Sequence, residues 1–479
     1  MVVWLNRPQN VSIVSICEAV TGDCHMSLRE FAGEGMGWVN IPPPLILRDP
    51  SPDRSAAPYR YMMVLPQRDG SDGYWKHIAL VTQANQDTKQ FLTNGKWEVG
   101  SLASYDPDEG QVYFYAALND PKERHIYRMP LDNSLPLECI TCREEEEEGC
   151  KYVDASFSSS GRYYIQSCLG PDVPSYSLRS IRDDTYIMLE DNEALKQKLS
   201  KKAMPRKEYV EVQTSSGQTL WAELVLPPVL NTEHLLKYAL LLHVYGGPAT
   251  QKVDYKFRLG WGAYLASSHK IIYAAVDGRG SLGRGETFLH SVYGKLGTLE
   301  VEDQLLAVHY MSKNLQYVDG NRTAIWGWSY GGFVTGHAVG NETNIFNCGI
   351  AVAPVTDWRY YDTVYTERYM GLANENYRGY DRANLSAKAD YFRNKKFLLI
   401  HGTADDNVHF QHSAQLIKAL TEADVDFRMQ LYTDKNHALS GAHTKRHLHR
   451  TMTNFLLQEC WDGASPVALG DKVSAVDKD

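Results

Sequence analysis

No run in this 479-residue sequence reaches the roughly 18 uninterrupted apolar residues that a bilayer-spanning helix needs, so nothing in it reads as a membrane span. The amino end, Met1-Val-Val-Trp-Leu-Asn6, lacks the basic flank and apolar core of a secretion signal. Basic excess is missing too. Forty-nine Lys and Arg against 58 Asp and Glu give a net charge of -9, which repels polyphosphate and makes nucleic acid a poor partner. Cys139-Ile-Thr-Cys142 has no second such pair at finger spacing, and structural zinc needs two more ligands, so no metal is expected. Low apolar content, which would mark disorder, is also absent: 43% apolar and 22% charged residues are ordinary globular usage.

What is present is a chain long enough for two to three domains, at about 100 to 200 residues each. Its cysteines number eight, and four sequons occur, at Asn10, Asn321, Asn341 and Asn384. Together these favour an oxidising compartment, hence an extracellular or cell-surface location. With no export signal in view, the expectation is that the parent protein carries its signal or anchor in a segment missing here.

Two grammars divide the chain. Residues 1–203 read as short aromatic and β-branched strands separated by Gly, Pro, Asp and Asn turns, a pattern that fits blades of a β-propeller at a spacing near 50 residues. Segments 72–80 and 123–130 each look like a strand that ends a blade. The acidic run 144–148 reads as a solvated loop. A short stretch with helix-forming character at 194–199 precedes the boundary, and 204–461 forms the second unit. From about residue 236 buried strands alternate with helices, the signature of a parallel sheet covered on both faces. Candidate strands are 239–245, 271–276, 323–327, 349–353, 397–401 and 428–432. Helical stripes run through Val301, Leu305, Val308 and Met311, and through Phe410, Ala414, Ile417 and Leu420. The tail 462–479 loses periodicity and is expected to be disordered.

The chemistry concentrates in the second unit. Gly327-Trp-Ser-Tyr-Gly331 matches G-x-S-x-G between a strand and a helix-competent segment, the context of a nucleophile elbow, which marks Ser329. A serine hydroxyl is a weak nucleophile and needs a histidine base held by a carboxylate, in the chain order Ser, Asp, His. His437, after the last strand, is the base in the right order, whereas His443, His447 and His449 read as surface residues and His401 as part of a strand. Asp405 and Asp406 both follow strand 397–401, and position alone does not separate them. An acyl-transfer oxyanion needs donors. The Tyr330 amide is one, and Tyr245 in His243-Val-Tyr-Gly-Gly-Pro248 offers a hydroxyl, unless that loop is a plain strand-end turn. Such a mechanism calls for no cofactor.

These residues, with Asp277-Gly-Arg-Gly280, Val364-Tyr-Thr-Glu-Arg-Tyr-Met-Gly371 and His401-Gly-Thr-Ala-Asp-Asp-Asn-Val-His-Phe410, resemble the dipeptidyl peptidase IV family of serine exopeptidases. The resemblance runs from Val3 to Cys460 and implies an α/β-hydrolase domain preceded by part of a β-propeller, acting on peptides with a free amino terminus and releasing dipeptides after a penultimate Pro or Ala. It implies the triad Ser329, Asp405 and His437, choosing Asp405 over Asp406, and an oxyanion hole from Tyr245 and Tyr330. It also implies a pocket of Tyr330, Val355, Trp358, Tyr361 and Tyr365, with Asn407 on the substrate carbonyl. The implied disulfides are Cys17 with Cys24, Cys139 with Cys142, Cys150 with Cys168, and Cys348 with Cys460. A homodimer follows from the family's terminal helix, here with a stripe of Leu448, Met452 and Phe455 and Leu456 beside it.

One departure is large. The family reads the substrate's ammonium with two adjacent glutamates and an arginine from early blades, and the resemblance begins past them, so impaired activity is expected. Asp362, beside the pocket tyrosines, is a carboxylate able to substitute in part, against the plainer reading of a helix cap. Two readings compete with an exopeptidase: a noncatalytic extracellular decoy exposing strand edges, and a general esterase of the same fold.

Overall fold

The computed structural model describes all residues except 48–59, 72, 83–87, 143–148, 184, 231–235, 462, 464–466 and 469–479. The acidic run 144–148 therefore lies outside the described residues.

The amino-terminal part is four antiparallel sheets in succession, one of three strands and three of four, whose first strands begin at Val2, Leu45, Glu98 and Tyr152. Alternation drives their stacking, because successive residues of a strand face opposite ways. In Tyr61–Arg68, Tyr61, Met63 and Leu65 join Val14, Ile16 and Leu28 of the first sheet, while Met62 and Val64 join Val112 and Phe114 of the third. Tyr115 and Ile126 then meet Val153 and Tyr164 of the fourth. Each sheet is thus buried by its neighbours, as blades of a propeller are. Tyr74–Val81 and His125–Pro130 do not end their blades as expected. Each is followed by a two-residue strand, Gln90–Phe91 and Glu138–Cys139, too short to show in an alternation pattern. The outermost strand of the fourth sheet, Tyr186–Glu190, is exposed along its length.

After the helix Glu193–Leu199, the chain builds a sheet that is mixed rather than wholly parallel. Arg206–Gln213 and Thr219–Leu226 enter antiparallel; Leu236–Val244, Ile272–Asp277, Val318–Trp328, Cys348–Val352, Lys396–Gly402 and Arg428–Tyr432 are parallel. Its two faces carry separate cores. Leu240, Leu242 and Val244 point into one, Ala239 and Leu241 into the other. Helices Leu299–Asn314, Tyr330–Val339 and Gln411–Glu422 contribute to the first core; Trp261–His269 and Ala442–Phe455 contribute to the second.

This second core corrects the reading of the terminal helix. Leu448, Met452, Phe455 and Leu456 are all buried in it, so the stripe meets the chain's own sheet. A 3.6-residue stripe reports that a face is covered, and here the sheet is what covers it. The tail is also not without structure: Val467–Ala468 pairs antiparallel with Leu236 and Lys237, and most of the remainder lies outside the described residues.

The two parts are joined by buried contacts. Trp38, from the propeller part, is fully buried in the hydrolase core beside His290 and Tyr369. Gly37 N–H donates to His290 Nδ1, which leaves the proton on Nε2 to reach the buried Glu286 carboxylate at 2.9 Å. Lys122, on a propeller turn, lies 3.2 Å from the centre of the Trp221 ring with Tyr209 and Tyr255 nearby, while its ammonium pairs with Asp120 at 2.7 Å. A desolvated cation over an indole is worth about 2 kcal/mol or more, so this cage holds the parts in register.

Candidate active site

Ser329 sits where the strand Val318–Trp328 turns into the helix Tyr330–Val339, at φ 61° and ψ -118°. A non-glycine residue at positive φ is held there against a steric cost. The bracketing glycines explain how. A Cβ on Gly327 would lie 2.2 Å from the Gly331 carbonyl oxygen, and one on Gly331 would lie 2.2 Å from that of Val244. The turn is pinned by Ser329 N–H donating to Val352 O at 2.8 Å and by Phe333 N–H donating to Ser329 O.

Asp405 follows the strand Lys396–Gly402 and is buried, whereas Asp406 is exposed. Its Oδ1 accepts from the amides of Asn407 and Val408, and its Oδ2 lies 2.8 Å from His437 Nδ1. His437 is carried on the loop after Arg428–Tyr432, and the Trp328 indole N–H donates to the His437 carbonyl at 3.0 Å. That bond ties the histidine loop to the residue preceding Ser329. Burial acts to raise the Asp405 pKa, but hydrogen bonds from His401 and His437 outweigh it and hold the carboxyl well below the usual carboxylate range. It is ionised at neutral pH and fixes the imidazole as an orienter should.

His401 is a residue that sequence reading passed over. It is fully buried in its strand, with Nε2 2.8 Å from Val408 O and 3.3 Å from Asp405 Oδ2, and Nδ1 2.7 Å from Ser413 Oγ. Only its spacing of four residues from Asp405 was visible, and in a strand-to-loop segment that spacing carries no geometric meaning.

The aromatic residues converge. Trp358 is buried, with Tyr330, Tyr361 and Tyr365 at ring-centre distances of 5.5, 5.7 and 5.8 Å. Val355 is buried beside them. Tyr361 donates to Asn407 Oδ1 at 2.7 Å, which brings the side chain expected on a substrate carbonyl to the edge of the cluster. Tyr245 stands 6.1 Å from the Tyr330 ring, half-buried, on a turn where Gly246 takes φ +73°. Burial raises the Tyr245 phenol and pushes that of Tyr361 up to about 12, so both remain hydrogen-bond donors at neutral pH. A cavity of about 410 Å³ opens between the two parts, lined by Val39, Asn40 and Lys76 on one side and by Ala249, Leu282 and Arg368 on the other.

Asp362 is the cap of helix Thr363–Met370, accepting from the amides of Val364 and Tyr365, and so takes the plainer of its two readings. Asp277 and Arg279 of the Asp-Gly-Arg-Gly motif are structural: the first accepts the Lys252 and Val253 amides, the second forms a forked pair with buried Asp303.

The described cysteines are joined as Cys17–Cys24, Cys139–Cys142, Cys150–Cys168 and Cys348–Cys460. Among the described residues His125, Cys139 and Cys142 come close enough to ligate one ion, but the disulfide consumes both sulfurs as thiolates and leaves one imidazole. Of the sequon asparagines, Asn10 and Asn321 are exposed and Asn341 is half-buried; Asn384 is half-buried and caps the 3₁₀ turn Leu385–Phe392. Among the described residues no helix is long and apolar enough to cross a membrane.

The sequence matches the prolyl oligopeptidase family over residues 255–462 and the dipeptidyl peptidase IV (DPP IV) N-terminal region over residues 1–175. It is 40% identical to mouse prolyl endopeptidase FAP over 467 residues and 40% identical to pig dipeptidyl peptidase 4 over 466. The chain belongs to the dipeptidyl peptidase IV family. Each alignment takes in 95% of this chain, which spans 59% of the length of the mouse relative and 58% of the pig one. The crystal structure of Porphyromonas gingivalis dipeptidyl peptidase 4 superposes with a TM-score of 0.83 at 30% identity, covering 95% of this chain and 61% of that one. The fold of the dipeptidyl peptidase IV family, propeller blades followed by an α/β-hydrolase, is therefore the fold of this chain.

Proposed function

We propose that this chain is a serine peptidase that releases dipeptides from free amino termini after a penultimate Pro or Ala, with residues 204–461 carrying the chemistry and 1–203 the blades beside it. One observation carries the reading: the 2.8 Å Asp405–His437 hydrogen bond, tied through Trp328 to the strained turn that presents Ser329. Ser329 Oγ attacks the scissile carbonyl as His437 Nε2 takes its proton. The oxyanion is met by the Tyr330 amide and the Tyr245 hydroxyl. The proton passes to the leaving amine, and water activated by the same imidazole releases the dipeptide from the acyl-enzyme. Trp358 and the tyrosines form an apolar ring-lined pocket suited to a pyrrolidine. That composition, with an ionised Asp405 on His437, favours a peptidase over a decoy or a general esterase.

The chain is 40% identical both to a prolyl endopeptidase and to a dipeptidyl peptidase, and an exopeptidase differs from an endopeptidase in needing a free substrate ammonium. Asp362 serves as a helix cap, its Oδ1 accepting the Val364 and Tyr365 amides, so it is not a dedicated reader of the substrate ammonium. Loss of such a desolvated charge-assisted contact costs about 2 to 5 kcal/mol. The isolated chain should therefore hydrolyse a Gly-Pro coumarin amide weakly and its N-acetylated analogue at a similar rate. Strong preference for the free amine would place an ammonium reader within these residues and contradict the proposed impairment.

The proposed setting is extracellular or at a cell surface, supported by the disulfides and the exposed sequons at Asn10 and Asn321. Homodimerisation rests on the family resemblance alone, since the stripe on the last helix is covered within the chain. Light scattering at micromolar concentration should give twice the chain mass of 54.1 kDa, and a monomer mass would remove the proposal.

A further inference from the structure

Tyr330 has two duties in the proposed site, one through its ring and one through its amide, and the group that fixes it lies outside the triad. Its hydroxyl donates to Glu300 Oε1 at 2.8 Å. Glu300 is in the first turn of helix Leu299–Asn314 and is 1% exposed. The same carboxylate accepts from Gly297 N–H on Oε1 and from Thr298 N–H on Oε2 at 3.2 Å. All three partners therefore use it as an acceptor. Around the ring, Tyr245, Phe333 and Trp358 stand at 6.1, 5.3 and 5.5 Å, and a Cβ on Gly247 would come within 3.3 Å of Tyr330 Cγ. These contacts confine the ring laterally. Its depth in the core is set at the far end, by the hydrogen bond to Glu300.

We infer that Glu300 is a positioning residue that holds Tyr330 in the one placement where the ring shapes the penultimate-residue pocket and the amide faces the oxyanion. This rests on the peptidase reading. A glutamate in a first helical turn is also an ordinary partner for amides at a helix start. Capping alone, however, makes no use of the tyrosine bond, and the two roles separate by substrate selectivity.

The test uses the full chain. Wild type is first labelled with a fluorophosphonate and the adduct is mapped. The kcat/KM values for Gly-Pro and Gly-Ala coumarin amides are then compared in wild type, Tyr330→Phe, Glu300→Gln and the double variant. Glu300→Gln keeps the shape but removes the charge and sets an NH₂ against either the Thr298 N–H or the Tyr330 and Gly297 donors that share Oε1, so the bonds that survive are weaker and not all can be kept. Each single variant should lower the Pro-to-Ala ratio roughly tenfold, as expected for a buried bond lost at a specificity wall, and the double variant should add little because both act through one bond. Labelling at Ser329 with an unchanged ratio and only a lower melting temperature would make Glu300 a cap and overturn the inference while the peptidase reading stands. No labelling at Ser329 would overturn that reading, and the inference with it. If Glu300→Gln does not fold, Tyr330→Phe, which deletes one hydroxyl, decides on the same ratio.

Discussion

Hydrolysis of a Gly-Pro amide by this chain is expected to fall by roughly 10⁴- to 10⁶-fold when Ser329 is replaced by Ala, because a triad works as one unit and loses nearly everything with its nucleophile. The elbow argues for this size of effect. Ser329 is held at φ 61° between two glycines that cannot bear a Cβ, a conformation that costs free energy and does nothing for the fold that a relaxed turn would not do. In the proposed mechanism that conformation presents the hydroxyl to His437, whose loop is fastened to Trp328. Asp405→Asn should also lose most of the rate, since an amide in place of the carboxylate no longer enforces the tautomer with its proton on Nδ1. Combined with Ser329→Ala it should add almost nothing. Turnover unchanged within twofold in Ser329→Ala, measured by coumarin release, would remove the assignment.

The largest effect on stability should come from Cys348–Cys460. This disulfide closes a separation of 112 residues, from the start of the strand Cys348–Val352 to the end of the π-helical turn Leu456–Cys460 that continues the last helix. Restricting the unfolded chain over a loop of that length is worth about 4 to 5 kcal/mol by chain-entropy reasoning, more than for the shorter loop of Cys150–Cys168. Cys348 is also buried in the core that receives Leu448 and Phe455, so the bond ties the terminal helix to the central sheet. Replacing both cysteines by Ser should lower the urea midpoint of the hydrolase part, followed by tryptophan fluorescence, far more than the matching change at Cys17 and Cys24. Equal midpoints would show that packing of the terminal helix suffices without the bond.

The sheet was legible because its central parallel strands are apolar runs, as in 397–401, which lies within Lys396–Gly402; strand 428–432 read from sequence is also the strand observed, although it is more polar and mostly not buried. Arg206–Gln213 was not legible as a member of that sheet. It is an outermost strand with only one buried residue, and its Arg, Lys and Glu residues obscure the alternation. The order of Ser329, Asp405 and His437 followed from where each lies after its strand, but burial was needed to separate Asp405 from Asp406 by geometry. His401 and Glu300 remained hidden for one reason. His401 lies in an apolar strand and Glu300 in the acidic first turn of a helix, but each has as its partner a neighbour in space that no periodicity reveals. The terminal helix shows the opposite limit, for its stripe was plain in the sequence while the surface covering it was not.

Ser329 is proposed as a nucleophile activated by His437 and Asp405. The most direct test is to treat the full chain with a fluorophosphonate and locate the adduct by mass spectrometry. One adduct on the peptide bearing Ser329, strongly reduced in His437→Gln, is the expected result. Absence of labelling, labelling at a different serine, or labelling that persists at full rate without His437 would contradict it.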